Sequence, residues 1–147
     1  MNSAKVSSWG IAILRMAVGI VFAVHGSQKL FLYGFSGTTQ AFLHMGVPLA
    51  AVVAPMVALL EFFGGMALIV GVATRLFAML LAMEMIGAIL IVHGKNGFFL
   101  PSGFEYAFTL LAANIGLMLT GPGAAAVENL FGRKKRSAAE VRAAKVA

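Results

Sequence analysis

Residues 9–35 read WGIAILRMAVGIVFAVHGSQKLFLYGF, and they combine membrane-like apolar length with four polar side chains: Arg15, His25, Gln28 and Lys29. At about 1.5 Å per residue, a helix that starts near residue 8 has crossed most of the roughly 30 Å hydrocarbon core by Lys29. Ionised groups inside a bilayer are costly, so they face protein or water and find partners there. The stretch therefore predicts a membrane helix whose polar side turns toward neighbouring helices.

One face of this helix collects most of those polar groups. On a 3.6-residue period, a single stripe holds Arg15, Gly19, Phe22, Gly26 and Lys29, with His25 beside it. The stripe has a purely structural interpretation, in which one internal ion pair staples the bundle and Lys29 reaches the lipid headgroups. Its functional interpretation is a polar site inside the bundle.

The composition indicates one small integral membrane domain, because 61% of the 147 residues are hydrophobic. Cysteine is absent. This excludes thiolate chemistry, cysteine-held zinc and iron–sulfur ligation, and it leaves any redox role to a bound organic or haem group or to a partner. No metal site is predicted, since the methionines are better explained as packing residues.

The net charge of +6 is concentrated at the carboxyl terminus. Six of the eleven basic residues lie there: Arg133, Lys134, Lys135, Arg136, Arg142 and Lys145. Such a juxtamembrane cluster favours a cytoplasmic location and attraction to anionic lipid. No interleaved aromatic residues indicate nucleic-acid binding, so we predict none.

Four apolar segments, at 8–32, 49–72, 75–94 and 104–121, each approach the length of a membrane-spanning helix. They predict an all-α protein, an antiparallel bundle of four transmembrane helices over 1–123 with a basic tail over 124–147. The positive-inside rule puts both termini in the cytoplasm of a bacterial inner membrane, with Lys29 and Lys95 at the outer face. Residues 33–47 are expected to form a lidding or interfacial loop.

Two acidic residues are predicted near mid-membrane, Glu61 in the second segment and Glu84 in the third. Glu61 is the expected ion-pair partner of Arg15. One acid then lacks a balancing charge, and Glu84 is the more open of the two. A desolvated carboxyl of this kind either holds or passes a proton, or simply donates a hydrogen bond.

An internal echo suggests a pocket at the outer leaflet. Residues 24–35 read VHGSQKLFLYGF and residues 92–104 read VHGKNGFFLPSGF, which is compatible with a parallel repeat of two helical hairpins. That geometry gathers four candidate ligand-binding residues: His25, Lys29, His93 and Glu105. Its aromatic roof would be Phe31, Tyr33, Phe98, Phe99 and Phe104. A quinone headgroup suits such a pocket, whereas an aromatic belt with polar caps, or less plausibly a haem between two histidines, would also fit the pattern.

In combination, these motifs resemble the DoxX family of small bacterial inner-membrane proteins. The resemblance rests on Arg15 with HG at 25–26 and Lys29, on ExxGG at 61–65 with Gly71, Thr74 and Arg75, and on VHGKNGFF followed by GxEY at 103–106. It covers about residues 9–121. It implies a four-helix membrane protein related to the membrane subunit of a thiosulfate:quinone oxidoreductase and to members linked with oxidative stress.

Three functions are compatible with the sequence. The first is a quinone-linked redox membrane subunit, which the predicted pocket favours. The second is a scaffold that docks a soluble oxidoreductase partner, alone or as a homo-oligomer. The third is a proton-coupled carrier of small solutes that uses Glu61 and Glu84.

Overall fold

The computed structural model describes residues 2–131, which form helices and connecting segments without any strand. The helices are α1, Ser3–Ser27, extended by a π-helical turn over Gln28–Leu32; α2, Gly34–His44; α3, Ala50–Val70; α4, Thr74–Gly87, extended by a π-helical turn over Ala88–His93 and a 3-10 turn over Gly94–Asn96; and α5, Glu105–Thr120. The all-helical prediction is confirmed for this part of the chain.

Three of these helical stretches are long and apolar enough to cross a membrane: Ser3–Leu32, Ala50–Val70 and Thr74–Asn96. The fourth predicted segment corresponds to α5, an apolar helix of 16 residues. Beyond it, residues 124–131 fold back toward α1 and α3, whereas the basic residues from Arg133 onward lie outside the described part of the chain. The sequence therefore located the apolar helices to within a few residues at most ends.

Glycine residues bring α1 and α3 into close contact. A Cβ at Gly26 would lie 2.7 Å from Phe62 Cα, and a Cβ at Gly65 would lie 2.7 Å from the Gly19 carbonyl oxygen, both closer than real Cβ atoms approach. Small residues allow helix backbones to meet in this way within membranes. The contact fixes the register of the two helices and thereby decides which polar side chains face each other.

Helices α4 and α5 form a second closely packed pair, which lies against the first. The core between the pairs is apolar and includes Phe22, Leu68, Leu81 and Leu117, each at most 2% exposed. Many other apolar side chains, such as Leu90 at 76%, face outward. Outward apolar surface on this scale suits contact with lipid.

Residues 33–47, predicted as a loop, contain the 11-residue helix α2. The glycines at its start are tolerated because Thr38, in its middle, is buried and donates a hydrogen bond of 2.9 Å to the Lys29 carbonyl. Phe42 and Met45, near its end, line the cavity described below. Tertiary contacts therefore stabilise a helix that local propensity alone would not favour.

Replacing Thr38 with valine removes this hydrogen bond while keeping the side-chain shape. We expect the free energy of unfolding to fall by about 1 kcal/mol, the usual net value of one such bond. Titration with SDS in detergent micelles, followed by circular dichroism, measures the change. Thr39→Val is the matched control, and an equal effect of both substitutions would contradict the role of the Thr38 hydroxyl.

Candidate functional site

A cavity of about 470 Å³ lies between the two helix pairs, at the end of the bundle that carries α2 and the 97–104 loop. Its walls are mostly apolar and include Val21, Phe22, Phe42, Val57, Met85 and Leu110. Its volume falls within the range typical of small-molecule sites, which are mostly apolar with a few placed polar groups. The cavity is the natural candidate for a binding site.

The polar lining of the cavity comes from four helical segments that are distant in sequence. It comprises His25, Lys29, Glu61, Glu84, His93 and Tyr106. Three of the four predicted pocket residues are among them, so the structure brings His25, Lys29 and His93 together at one cavity. It also adds Glu61, which the sequence predicted to pair with Arg15, and Glu84, which the sequence left without a balancing charge.

Lys29 and Glu61 form a salt bridge between α3 and the π-helical turn that follows α1. The Lys29 side chain is 18% exposed and that of Glu61 is 7% exposed. Lys29 therefore turns into the bundle instead of extending toward the headgroups. Because a buried ion pair must offset its own desolvation, a pair that opens onto a cavity is a candidate for function.

Glu84, in α4, lines the same cavity as this salt bridge. Its Oε2 atom is buried and has no hydrogen-bond partner among residues 2–131. The two carboxyl groups line the cavity together with a single ammonium group, so their proton occupancy sets the charge of this part of the cavity.

The aromatic side of the polar cluster is formed by His25 and Tyr106, whose ring centroids are 6.2 Å apart. The Nδ1 atom of His93 lies 3.1 Å from the Ser102 carbonyl oxygen, which orients that ring through the 97–104 loop. Tyr106 was included in the GxEY motif at 103–106 but not among the predicted pocket residues. One feature of the sequence could have identified Tyr106. It follows Glu105 at the start of a helix, near the two segments that contain histidine.

Glu105 is not part of the cavity lining, contrary to the predicted pocket. Its Oε1 atom accepts a hydrogen bond of 3.1 Å from the Leu100 amide, so the carboxylate holds the 97–104 loop. The predicted aromatic roof is also wrong, because none of its five members lines the cavity. Phe31 and Phe99 are 75% and 77% exposed and point outward, where an aromatic belt at a membrane interface would lie.

The predicted ion pair between Arg15 and Glu61 is wrong. Arg15 is fully buried and lies level with the end of α3, where its guanidinium donates to the carbonyl oxygens of Leu68 and Ile69. Glu61 is seven residues earlier on α3, or about 10 Å away along the helix axis. The register imposed by the close glycine contacts therefore pairs Glu61 with Lys29 instead.

Arg15 also binds the chain that follows α5. Its guanidinium donates to the carbonyl oxygens of Pro122, Ala124 and Ala125, at 2.9, 3.4 and 3.1 Å. In total it donates to five carbonyl groups, two of which, those of Leu68 and Ile69, belong to the last turn of α3. Arg15 is thus a structural clamp at the end of the bundle opposite the cavity.

The cavity offers hydrogen-bond donors and a carboxyl pair at one side of an apolar space. Lys29 and Tyr106 can donate, Glu61 and Glu84 can accept or exchange a proton, and the imidazoles can do either. Such a set can orient a flat, uncharged molecule that carries oxygen atoms, and it can move a proton to or from it. No group of three or more His, Asp or Glu side chains within residues 2–131 is arranged to hold a metal ion.

These features define a helical integral membrane protein with an apolar cavity that encloses ionisable side chains. The chain belongs to the DoxX family, whose family model matches residues 10–94. This stretch contains Arg15, the Lys29–Glu61 pair, Glu84 and both cavity histidines.

Individual relatives extend beyond the matched domain. The chain is 39% identical over 112 residues to a Bacillus subtilis (strain 168) protein named "Putative oxidoreductase CatD", covering 76% of this chain and 79% of that protein. It is 31% identical over 135 residues to the inner membrane protein YqjF of Escherichia coli (strain K12), covering 88% of this chain and 98% of that protein. No solved structure matches the chain.

Proposed function

We propose that this protein is a quinone-linked membrane subunit of an oxidoreductase system, with its ligand bound in the cavity between the helix pairs. The observation that carries the proposal is the placement of Lys29, Glu61 and Glu84 in a cavity whose walls are mostly apolar. Charged groups at membrane depth are costly unless function or a partner retains them. A purely structural salt bridge would not need an adjoining space of about 470 Å³.

A quinone headgroup suits this cavity in shape and chemistry. Its flat ring fits between apolar walls such as Phe22 and Val57, and its two carbonyl oxygens need hydrogen-bond donors. Reduction of a quinone takes up two electrons and two protons, and the carboxyl pair with Tyr106 offers a local proton source. Phe42 in α2 and Met45 directly after it form one wall of the cavity. We propose that the isoprenoid tail passes this wall and extends into the lipid.

The chain has no cysteine to hold a cluster or to form a redox disulfide, so in this proposal the electrons come from another protein. The partner is a soluble oxidoreductase that docks at the end of the bundle that carries the cavity. The name of the Bacillus subtilis relative, an oxidoreductase, supports a redox context. A protein that docks such a partner also performs the scaffold function considered above. Our proposal adds a ligand site to that function.

For the topology, we propose four membrane spans in a bacterial inner membrane with both termini in the cytoplasm. Helix α5 is about 24 Å long by its 16 residues, which is close to the hydrocarbon thickness once its flanking residues are included. Four spans put Lys5, Arg75 and the basic tail on one side, as the positive-inside rule requires. The cavity then opens at the outer leaflet.

Filling the cavity tests the ligand site. Ala88 lines it one helical turn beyond Glu84, and Ala88→Phe should weaken binding of a short-chain benzoquinone such as decylubiquinone at least about tenfold by occupying its space. Binding is measured by microscale thermophoresis in detergent or nanodiscs. An alkylbenzene of equal chain length separates specific binding from partitioning into lipid.

Ala112→Phe, on an exposed position of α5, is the matched control and should bind as the unmodified protein does. Equal quinone binding by all three proteins, or none by any of them, would contradict the proposal. Proton-coupled solute flux in liposomes that disappears with Glu61→Gln would then favour the carrier function.

A further inference from the structure

Glu61 and Glu84 line the same cavity from different helix pairs. Glu61 belongs to α3 and is held by Lys29, whereas Glu84 belongs to α4 and offers a buried Oε2 atom that has no partner among the described residues. A buried oxygen without a hydrogen bond is destabilising by an amount comparable to a lost bond. Glu84 also lines the cavity, so its carboxyl group is within reach of a ligand bound there, and the next question is whether that group donates or accepts a hydrogen bond.

The charges around Glu84 answer that question. The ionisable side chains that line the cavity are Lys29, Glu61, Glu84, His25, His93 and Tyr106. Within residues 2–131, Lys29 with Glu61 is the only cation–carboxylate pair within 4 Å, so neither histidine forms an ion pair with Glu84. One ammonium group balances one carboxylate, and the cluster is electrically neutral when the second carboxyl group keeps its proton.

We propose that Glu84 carries a proton in the ligand-free protein and donates it in a hydrogen bond to a carbonyl oxygen of an uncharged ligand. The cavity accordingly selects neutral, carbonyl-bearing ring compounds over organic cations and over carboxylates. A cation would require Glu84 to be ionised, and a carboxylate would add a negative charge beside Glu61. This inference rests on the proposed function, since it names the group that recognises the ligand.

Infrared spectroscopy of the ligand-free protein tests the proton directly. The unmodified protein should show the C=O stretching band of a protonated carboxylic acid, shifted in D₂O, and Glu84→Gln should abolish it. Glu105→Gln, which removes a glutamate outside the cavity, should leave the band unchanged. Lys29→Met removes the balancing charge and should raise the band about twofold, because both carboxyl groups then need protons for neutrality.

Ligand binding tests the hydrogen bond. Glu84→Gln keeps an N–H donor at the same place and should bind decylubiquinone within about threefold of the unmodified protein, whereas Glu84→Leu should bind it about tenfold more weakly. Thermal unfolding of each variant checks that it is folded. Equal weakening by Gln and Leu, or tighter binding of a ring-bearing ammonium compound such as benzylamine, would overturn the inference.

The two experiments separate this inference from the proposed function. A carboxylic acid band that Glu84→Gln removes, in a protein that binds no quinone, supports the proton on Glu84 and contradicts the quinone site. Quinone binding by a protein without that band supports the site and overturns the assignment of Glu84 as donor.

Discussion

Alanine at Gly26 is expected to lower the free energy of unfolding by about 3 kcal/mol or more, since an added methyl group must overlap the backbone of α3. The Cβ would lie 2.7 Å from Phe62 Cα and 2.9 Å from the Glu61 carbonyl carbon. Backbone atoms cannot move aside as a flexible side chain can. The helices must therefore separate, and the Lys29–Glu61 pair should open with them.

Unfolding by SDS, with thermal melting in detergent as a second measure, quantifies this loss. Gly65→Ala meets the same contact from the α3 side, near the Gly19 carbonyl, and should show a similar loss. Gly116→Ala is the matched control, because a Cβ there meets nothing within 4 Å. It should be neutral or raise stability by up to about 1 kcal/mol through helix propensity. Equal stability of Gly26→Ala and Gly116→Ala would mean that the close approach of α1 and α3 is wrong.

Replacing Arg15 with alanine should have the second large effect, a loss of about 3–5 kcal/mol. The substitution leaves the carbonyl groups at the end of α3 and those of Pro122, Ala124 and Ala125 without their donor. Arg15→Lys should recover only part of the loss, because one ammonium group has three donors and lacks the planar fork of a guanidinium. The chain after α5 should also be released.

Hydrogen exchange of the Ala124 amide reports that release, since this amide donates to the Ser8 carbonyl in the folded protein. Arg75→Ala serves as the control: Arg75 is exposed and donates one hydrogen bond, to the Met118 carbonyl. It should change stability by about 0.5 kcal/mol or less. An Arg15→Ala protein that is as stable as Arg75→Ala, with protected exchange at Ala124, would contradict the clamp.

The cavity residues show how far sequence reasoning reached. His25, Lys29 and His93 were predicted to share a pocket because each lies near the same end of an apolar segment, and depth along a helix can be counted from sequence. Glu105 was placed with them by the same count. Glu105 begins α5, next to Tyr106 of the cavity lining, but its carboxylate accepts from the Leu100 amide, and the direction of a side chain at a helix start depends on the loop before it.

The partners of the buried polar side chains were harder to predict than the positions of those side chains along the helices. Arg15 and Glu61 carry opposite charges on neighbouring helices, yet they lie about two turns apart once the helices are in register. Glu61 pairs with Lys29 instead of Arg15, and Arg15 donates to carbonyl oxygens instead of to Glu61. A guanidinium buried against five carbonyl groups leaves no periodic pattern in sequence, because its partners are backbone atoms that every residue has.

The amino-acid sequence by itself determined that this chain is a helical membrane protein, where its apolar helices lie, and which ionisable residues fall within its apolar segments. Those properties follow from the free-energy cost of exposing polar groups to lipid, because each segment must satisfy its own backbone polar groups within its helix. The tertiary structure decided which of these residues meet. Close packing at Gly19, Gly26 and Gly65 sets the register of the helices. The register decides which side chains of neighbouring helices contact each other.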